Sequence, residues 1–443
     1  MTLEAPATAH RFSPDFRKFL NWALVWIVLA NIPFMAMWMV GAPPRAIPIA
    51  LAGLVGLIVK RMPRAVQWLA FAGVMIYSLL SFVSGLFSLT MDSLLYSMQF
   101  FAEIKPGNSI EYIAAAVVIV GILIGSWFLL KRDTNFSRPL HILLGGALIF
   151  GLVGADAAVG EGMRGHYFRP APAGAPFESA VTKSGFAARA DGKRHLVLII
   201  VESLGVPRDN KAMSDKLFAQ YRSSAVTDRY DVSQGTSLYY NSTTAGEMRE
   251  LCGRWGDYYE LLDSNDPATL NCLPAQLAEK GYATQAMHSF KGPFFKREDW
   301  YPKIGFQKRE FAVDLEKRGA EWCGGVFAGA CDRQVPKMLA ENLRRATRPT
   351  FQYWLTLNTH LPVPTEQNLH AEHYPMICRQ YAIFDDIDRA LIAEITADDF
   401  PEADILLVGD HMPPFFDRHH RSQFDPERVP WLYLKAKGSQ PEG

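Results

Sequence analysis

Long stretches of the first 160 residues carry no charge. Residues 19–44, 46–59, 65–91 and 112–130 hold no charged side chain, and 139–155 has only His141 as a titratable group. A helix needs about 18–20 apolar residues to cross the hydrocarbon of a bilayer, so a chain with such runs folds partly in lipid. The runs predict five spans, 19–41, 42–60, 65–88, 111–130 and 139–158, which makes residues 1–160 a transmembrane domain. The second run is short, and spans only with a turn at residues 41–44 and a snorkelling Arg45. A cleaved signal peptide is the rival reading of the N-terminal run, but that run exceeds an h-region and further spans follow it.

The positive charges set the orientation. Arg11, Arg17 and Lys18 precede the first run, Lys60, Arg61 and Arg64 follow the second, and Lys131, Arg132 and Arg138 follow the fourth. With five spans all three clusters fall on one side, the cytoplasmic one by the positive-inside rule. The segment 92–111, with Asp92, Glu103 and Glu111 against Lys105 alone, falls on the other. Everything after about residue 160 is then outside the cytoplasm, as in a bacterial-style multi-pass protein of the inner membrane. All five cysteines (Cys252, Cys272, Cys323, Cys331 and Cys378) lie in that exported half, which suits an oxidising compartment. Cys252 with Cys272 and Cys323 with Cys331 are the natural short-loop pairs, with Cys378 left over, although spacing does not settle connectivity. No cysteine spacing fits a zinc-thiolate site. The 45 basic residues balance 45 acidic ones, so no gross charge calls for a nucleic-acid partner.

Residues 161–193 read as a linker whose Arg169 to Pro176 stretch, rich in proline and alanine, is a stiff tether. From about Arg194 to residue 443, strand-like runs (196–201, 283–288, 350–357, 405–408, 429–434) alternate with helical patterns (213–221, 274–280, 333–345, 377–396). The alternation predicts an α/β domain with a mainly parallel sheet between helices. In such sheets ligands gather at the carboxyl ends of the strands, and Glu202, His288, His360, Asp410 and His411 all sit at or just past such ends.

Two carboxylates and an imidazole form a mixed oxygen and nitrogen site that suits zinc or manganese. The hydroxyl-rich segment Gly235 to Gly253 lies between the two strand ends in sequence, and a metal acidifies a hydroxyl enough to make it a nucleophile near neutral pH. Each residue also has a plainer reading. Glu202 alone is an ordinary loop residue, His360 a capping histidine in a proline-containing turn, and His419 and His420 a solvated pair beside Asp417, Arg418 and Arg421. The loop Pro413-Pro414-Phe415-Phe416 either faces the membrane or joins the core.

On Val201-Glu202-Ser203, Thr243 to Gly253, the segment His288 to Arg297, Thr359-His360-Leu361-Pro362 and Gly409-Asp410-His411, the chain resembles the alkaline phosphatase and sulfatase superfamily. The likeness is to its membrane-anchored branch of lipoteichoic acid synthases, osmoregulated-glucan phosphoglycerol transferases and lipid A phosphoethanolamine transferases, and it covers nearly the whole chain. Thr-x-Ala-Gly, five residues, Cys-Gly looks like the glucan transferases, and Thr-x-x-x-Glu-Met looks like the synthases. Both select Thr243 as nucleophile over Thr244, which then only shapes the turn. The resemblance implies an alkaline-phosphatase-like fold and one divalent metal, zinc or manganese, held by Glu202, Thr243, Asp410 and His411. It also implies a head-group pocket with His288, Phe295, Arg297 and His360, to which His419 and His420 are weaker additions. The synthases have tryptophan where Phe295 stands.

The implied activity moves a phospho-head group, phosphoglycerol or phosphoethanolamine, from a membrane phospholipid through a covalent threonine intermediate to a glycan hydroxyl. Phosphatidylglycerol or phosphatidylethanolamine is the donor and a glycan the acceptor; His360 serves as acid or base. A membrane-tethered phosphodiesterase, with water as acceptor, and a non-enzymatic glycan sensor that keeps the fold are the rival classes. Sulfate-ester hydrolysis does not fit, because no Cys or Ser followed by x-Pro-x-Arg surrounds Thr243.

Overall fold

A computed structural model describes residues 13–438 except 36–37, 39–42, 87–90, 92–93, 96–106, 108, 162–164, 168, 264–270, 364–375 and 416–417. It divides into two units, residues 1–86 with 111–163, and residues 87–110 with 164–443. The acidic balance expected of the segment 92–111 lies outside the residues whose side chains are described.

In the first unit three helices are long and apolar enough to cross a membrane, Arg64–Gly85, Tyr112–Leu129 and Pro139–Val159, with a shorter apolar helix at Ala46–Val59. The N-terminal run is not one straight helix. Ser13 caps Pro14–Ala23 through its hydroxyl, which accepts the Phe16 N–H at 3.2 Å, and the chain continues as a π-helical segment, Leu24–Leu29. Trp22, Trp26, Phe71 and Phe136 fill the interior of this unit, while Ile47, Ile58, Leu69, Ile76, Val117 and Phe150 face outward. An apolar exterior around an aromatic core is what a lipid solvent selects.

Arg45 corrects one expectation. Its side chain does not reach outward but is 2% exposed, with Nη2 donating to Asn31 Oδ1 at 3.1 Å and the guanidinium over the Phe34 ring. Its backbone N–H donates to Asp156, whose other oxygen accepts the Trp38 indole N–H. The inward path gives Nη2 and the backbone N–H partners within protein, which lipid cannot do.

The second unit is built on a seven-stranded sheet ordered β2-β9-β8-β1-β7-β3-β4. The strands are β1 (His195–Val201), β2 (Tyr230–Leu238), β3 (Ala283–His288), β4 (Lys308–Glu310), β7 (Thr350–Leu355), β8 (Ala403–Gly409) and β9 (Arg428–Ala436); β5 (Trp322–Cys323) and β6 (Gly329–Ala330) form a separate hairpin. β8, β1, β7, β3 and β4 run parallel, while β9 pairs antiparallel with both β8 and β2. β7 and β8 are buried along their whole length and β1 everywhere after its first residue. Both faces of the sheet are therefore covered, which is why these strands read as continuous apolar runs rather than alternating ones. Each fully buried Val, Leu or Ile there contributes about 1.5–3 kcal/mol relative to exposure. The helix Met376–Ile395 presents Ile377, Tyr381, Phe384, Ile387 and Leu391 as one buried stripe, spaced as a helix face requires.

Cys252–Cys272 and Cys323–Cys331 are disulfides and Cys378 is free and exposed. The expected linker is a linker only in part. From Gly165 onward it belongs to the second unit, and Ala180, Val181 and Phe186 are buried. The Glu250 carboxylate accepts the Ala180 and Val181 N–H groups at 3.2 and 3.0 Å, while Glu178 accepts the Leu238 N–H and pairs with Arg428. Phe415 is 1% exposed and packs on Phe424, so at that position the loop joins the core; Phe416 lies outside the described residues.

Parallel order brings the carboxyl ends of β1 and β8 side by side, with Val201 opposite Gly409. A Cβ on Gly409 would stand 2.1 Å from the Leu204 carbonyl oxygen. Gly409→Ala is therefore expected to cost about 1–3 kcal/mol through forced backbone displacement, read as a lower melting temperature of the full chain in detergent; an unchanged melting temperature contradicts this packing.

Candidate metal centre and active site

Glu202 follows β1 and Asp410-His411 follow β8, and all three are at most 3% exposed. One ligand atom from each lies within 4.8 Å of the others. Their backbones are fixed first. The Glu202 N–H donates to Thr356 Oγ1 at 2.9 Å, and Thr359 Oγ1 donates to the Glu202 carbonyl at 2.6 Å. Ser203, at φ 57°, donates its N–H to Asp410 Oδ1 at 2.8 Å, and the His411 N–H donates to the same oxygen at 2.7 Å. Asp410 Oδ2 is buried and accepts no hydrogen bond.

His411 Nδ1 faces the Met412 carbonyl at 2.8 Å, so that nitrogen carries the proton and Nε2 presents a lone pair. Nε2 stands 3.2 Å from Asp410 Oδ2 and 3.5 Å from Glu202 Oε1. Thr243 Oγ1 donates to Glu202 Oε2 at 3.0 Å and lies 3.3 Å from His411 Nε2. Carboxylate and imidazole atoms thus converge on one point, with the Ser203 and Thr243 hydroxyls donating to Glu202 Oε1 and Oε2 at 2.9 and 3.0 Å. Burial, and then the adjacent Asp410 charge, push the Glu202 carboxyl well above the ordinary carboxylate range. A divalent cation supplies the charge this arrangement lacks, and the orphaned Asp410 oxygen and the hard and imidazole donors fit one.

Thr243 opens the helix Thr243–Cys252. Gly246, one turn on, lets that helix close against Asp410, whose Cβ would stand 3.0 Å from a Cβ there. Arg249 then reaches over the metal loop, donating from Nη1 to the Asp410 carbonyl at 3.0 Å and from Nη2 to the Gly409 carbonyl at 2.7 Å, with Nε on Glu250 at 2.6 Å. Thr244 is fully buried. Sequence reading missed Thr356, Arg249 and Glu250 as supports, because their partners are backbone groups far away in the chain.

The expected head-group residues are arranged differently from a simple open pocket. Arg297 is 2% exposed and gives Nε and Nη2 to Glu247 Oε2 at 3.0 and 2.8 Å. Tyr301 and Tyr353 donate to Glu247 Oε1 at 2.5 and 2.9 Å. These donors serve Glu247, on the nucleophile helix, rather than standing free for a phosphate. Phe295 is buried at φ 56°, with the Arg297 guanidinium 5.2 Å from its ring centre. His288 is buried, with Nδ1 3.1 Å from the Leu355 carbonyl, and burial followed by the Arg297 charge pushes its pKa well below the usual range. His360 packs on Phe327 at 4.2 Å between ring centres, and burial, then His411, push it down to about 4. His419 is exposed and His420 packs on Phe415; neither joins the cluster. One further residue borders the cluster. Tyr167 is 7% exposed and its ring lies 4.6 Å from that of His411.

The family model for sulfatases matches residues 194–435, and the chain belongs to the sulfatase family of the alkaline phosphatase superfamily. Among curated proteins none is matched by sequence. The chain is similar to the lipoteichoic acid synthase LtaP from Listeria monocytogenes, at 15% identity over 60% of this chain and 71% of that one, with a TM-score of 0.43. It is also similar to the Streptococcus pyogenes phosphoglycerol transferase GacH in complex with sn-glycerol-1-phosphate, at 17% identity over 57% and 73%, TM-score 0.38. A third similar structure is the zinc complex of the C-terminal periplasmic domain of EcEptC from Escherichia coli, at 14% identity over 56% and 75%, TM-score 0.37.

Removing one partner of a buried ion pair costs about 3–5 kcal/mol, because the other charge is left uncompensated. Glu247→Ala is expected to lower the melting temperature by several degrees, and the paired change Glu247→Leu with Arg297→Met to melt above Glu247→Ala. A Glu247→Ala chain that melts like the wild type contradicts the pairing.

Proposed function

We propose that the protein is a metal-dependent transferase that moves a phospho-head group from a membrane phospholipid to a glycan hydroxyl outside the cytoplasm. The observation that carries the reading is Thr243 Oγ1, hydrogen-bonded to Glu202 and 3.3 Å from His411 Nε2 at the focus of the buried ligand cluster. Family membership, the apolar helices and the motif around Thr243 support it.

When bound by Glu202, Asp410 and His411, a divalent metal, zinc or manganese, would lower the pKa of the Thr243 hydroxyl and offset phosphate charge. Thr243 Oγ1 attacks the phosphodiester phosphorus, the bond to the diacylglycerol oxygen breaks, and diacylglycerol leaves with a proton. The acceptor hydroxyl then attacks the same phosphorus, the bond to Thr243 breaks, and the threonine recovers its proton. His360, which burial pushes down to about 4, would take the acceptor's proton in this reading. Phe295 lines the head-group end, and His288 and Arg297 lie behind it. His419 and His420 have no role in this reading. Phosphoglycerol is favoured over phosphoethanolamine by the Thr-x-Ala-Gly to Cys-Gly pattern. Five spans, as the charge pattern implies, would leave the catalytic unit on the periplasmic side of an inner membrane.

The test is peptide-mass analysis after incubation with phosphatidylglycerol and phosphatidylethanolamine. A phosphoglycerol adduct on Thr243, absent from Thr243→Ala and kept in Thr244→Ala, is expected. No adduct on any chain, together with head-group release that needs no glycan, moves the reading to a phosphodiesterase.

A further inference from the structure

We infer that the segment Gly165 to Tyr167, which follows directly on the apolar helix Pro139–Glu161, is part of the active site, and that Tyr167 is a positioning residue for the His411 imidazole. The inference rests on the reading of Glu202, Asp410 and His411 as metal ligands.

The segment is held by a three-way clip. The His166 N–H donates to the Pro426 carbonyl at 2.8 Å, and the His166 carbonyl accepts the Asn241 N–H at 2.9 Å. The His166 ring stacks on Tyr240 at 4.0 Å, with Nδ1 2.9 Å from the Tyr239 carbonyl. Tyr239 in turn donates its N–H to Glu427 and its hydroxyl to Pro426. Gly165 has φ +51°, and a Cβ there would stand 2.5 Å from the Pro426 oxygen. The clip therefore joins the segment to residues 239–241, immediately before the nucleophile, and to residues 426–427, at the entry to β9.

Its result is the Tyr167 ring, 7% exposed, lying 4.6 Å from the His411 ring at 52°. The Met412 carbonyl and Thr243 Oγ1 meet the two nitrogens of that imidazole, but contacts at the ring nitrogens alone leave the ring free to tilt about the line joining them. Packing by Tyr167 removes that freedom. Groups that orient a metal-binding histidine typically change metal affinity 10–100-fold when lost. A segment that precedes β1 in the chain thereby completes the surroundings of the metal ligands.

The test is Zn2+ affinity of the full chain in detergent, measured by competition with a chromophoric chelator, beside the melting temperature of the metal-free protein. Tyr167→Phe is expected within about threefold of wild type, and Tyr167→Ala about tenfold or more weaker, with metal-free melting little changed. Tyr167→Leu, which keeps most of the volume without the ring, is measured in parallel, so that a folding failure of the alanine chain does not decide the question. Wild-type affinity in Tyr167→Ala or Tyr167→Leu, while His411→Ala loses Zn2+, overturns the inference. Equal affinity in wild type and His411→Ala instead overturns the metal reading beneath it.

Discussion

The structure turns on lone pairs that face one another. Glu202, Asp410 and His411 are brought together by two adjacent parallel strands, their backbones are fixed by Thr356, Thr359 and Ser203, and the free oxygen of Asp410 lies 3.2 Å from His411 Nε2. Buried acceptors with nothing to accept from are costly, and a fold that assembles them so tightly is organised for a cation. The Thr243 and Ser203 hydroxyls both donate to Glu202, and Thr243 Oγ1 also lies 3.3 Å from His411 Nε2, so the site sets the proposed nucleophile beside the charge that would activate it.

Thr243, the proposed nucleophile, is held by the helix it begins. Gly246 allows contact with Asp410, Glu247 holds Arg297 and two tyrosines, Arg249 grips the carbonyls of Gly409 and Asp410, and Glu250 caps the segment before β1. Successive residues of one helix thus tie the threonine to the metal loop, to the Phe295–Arg297 segment and to the chain arriving from the apolar helices. Loss of precision at any of these ties is felt at Thr243, because positioning dominates the barrier in phosphoryl transfer.

The parts legible in the sequence were those with strong local patterns. β1 and β8 were readable because strands buried on both faces are nearly unbroken apolar runs, and Glu202 and Asp410-His411 stood out as polar groups at their ends. β2 was not, since it is an edge strand whose polar face is exposed and whose partner, β9, lies nearly 200 residues away. Arg297 matched a motif for phosphate binding, yet its geometry is set by Glu247, a pairing that depends on tertiary approach rather than spacing. Tyr167 sat in what composition marks as a tether, and nothing local signals a ring that docks beside a metal loop far along the chain. The linker boundary failed for the same reason, because Ala180 and Val181 are ordered by Glu250 from the nucleophile helix.

The most direct test of the central claim is elemental analysis of the full chain purified in detergent, compared with Asp410→Asn, which keeps the shape of the side chain and removes its charge. The account predicts one equivalent of zinc or manganese per wild-type chain and loss of most of it in the variant. Equal metal content in the two proteins, or none in the wild type after exposure to both metals, would contradict it.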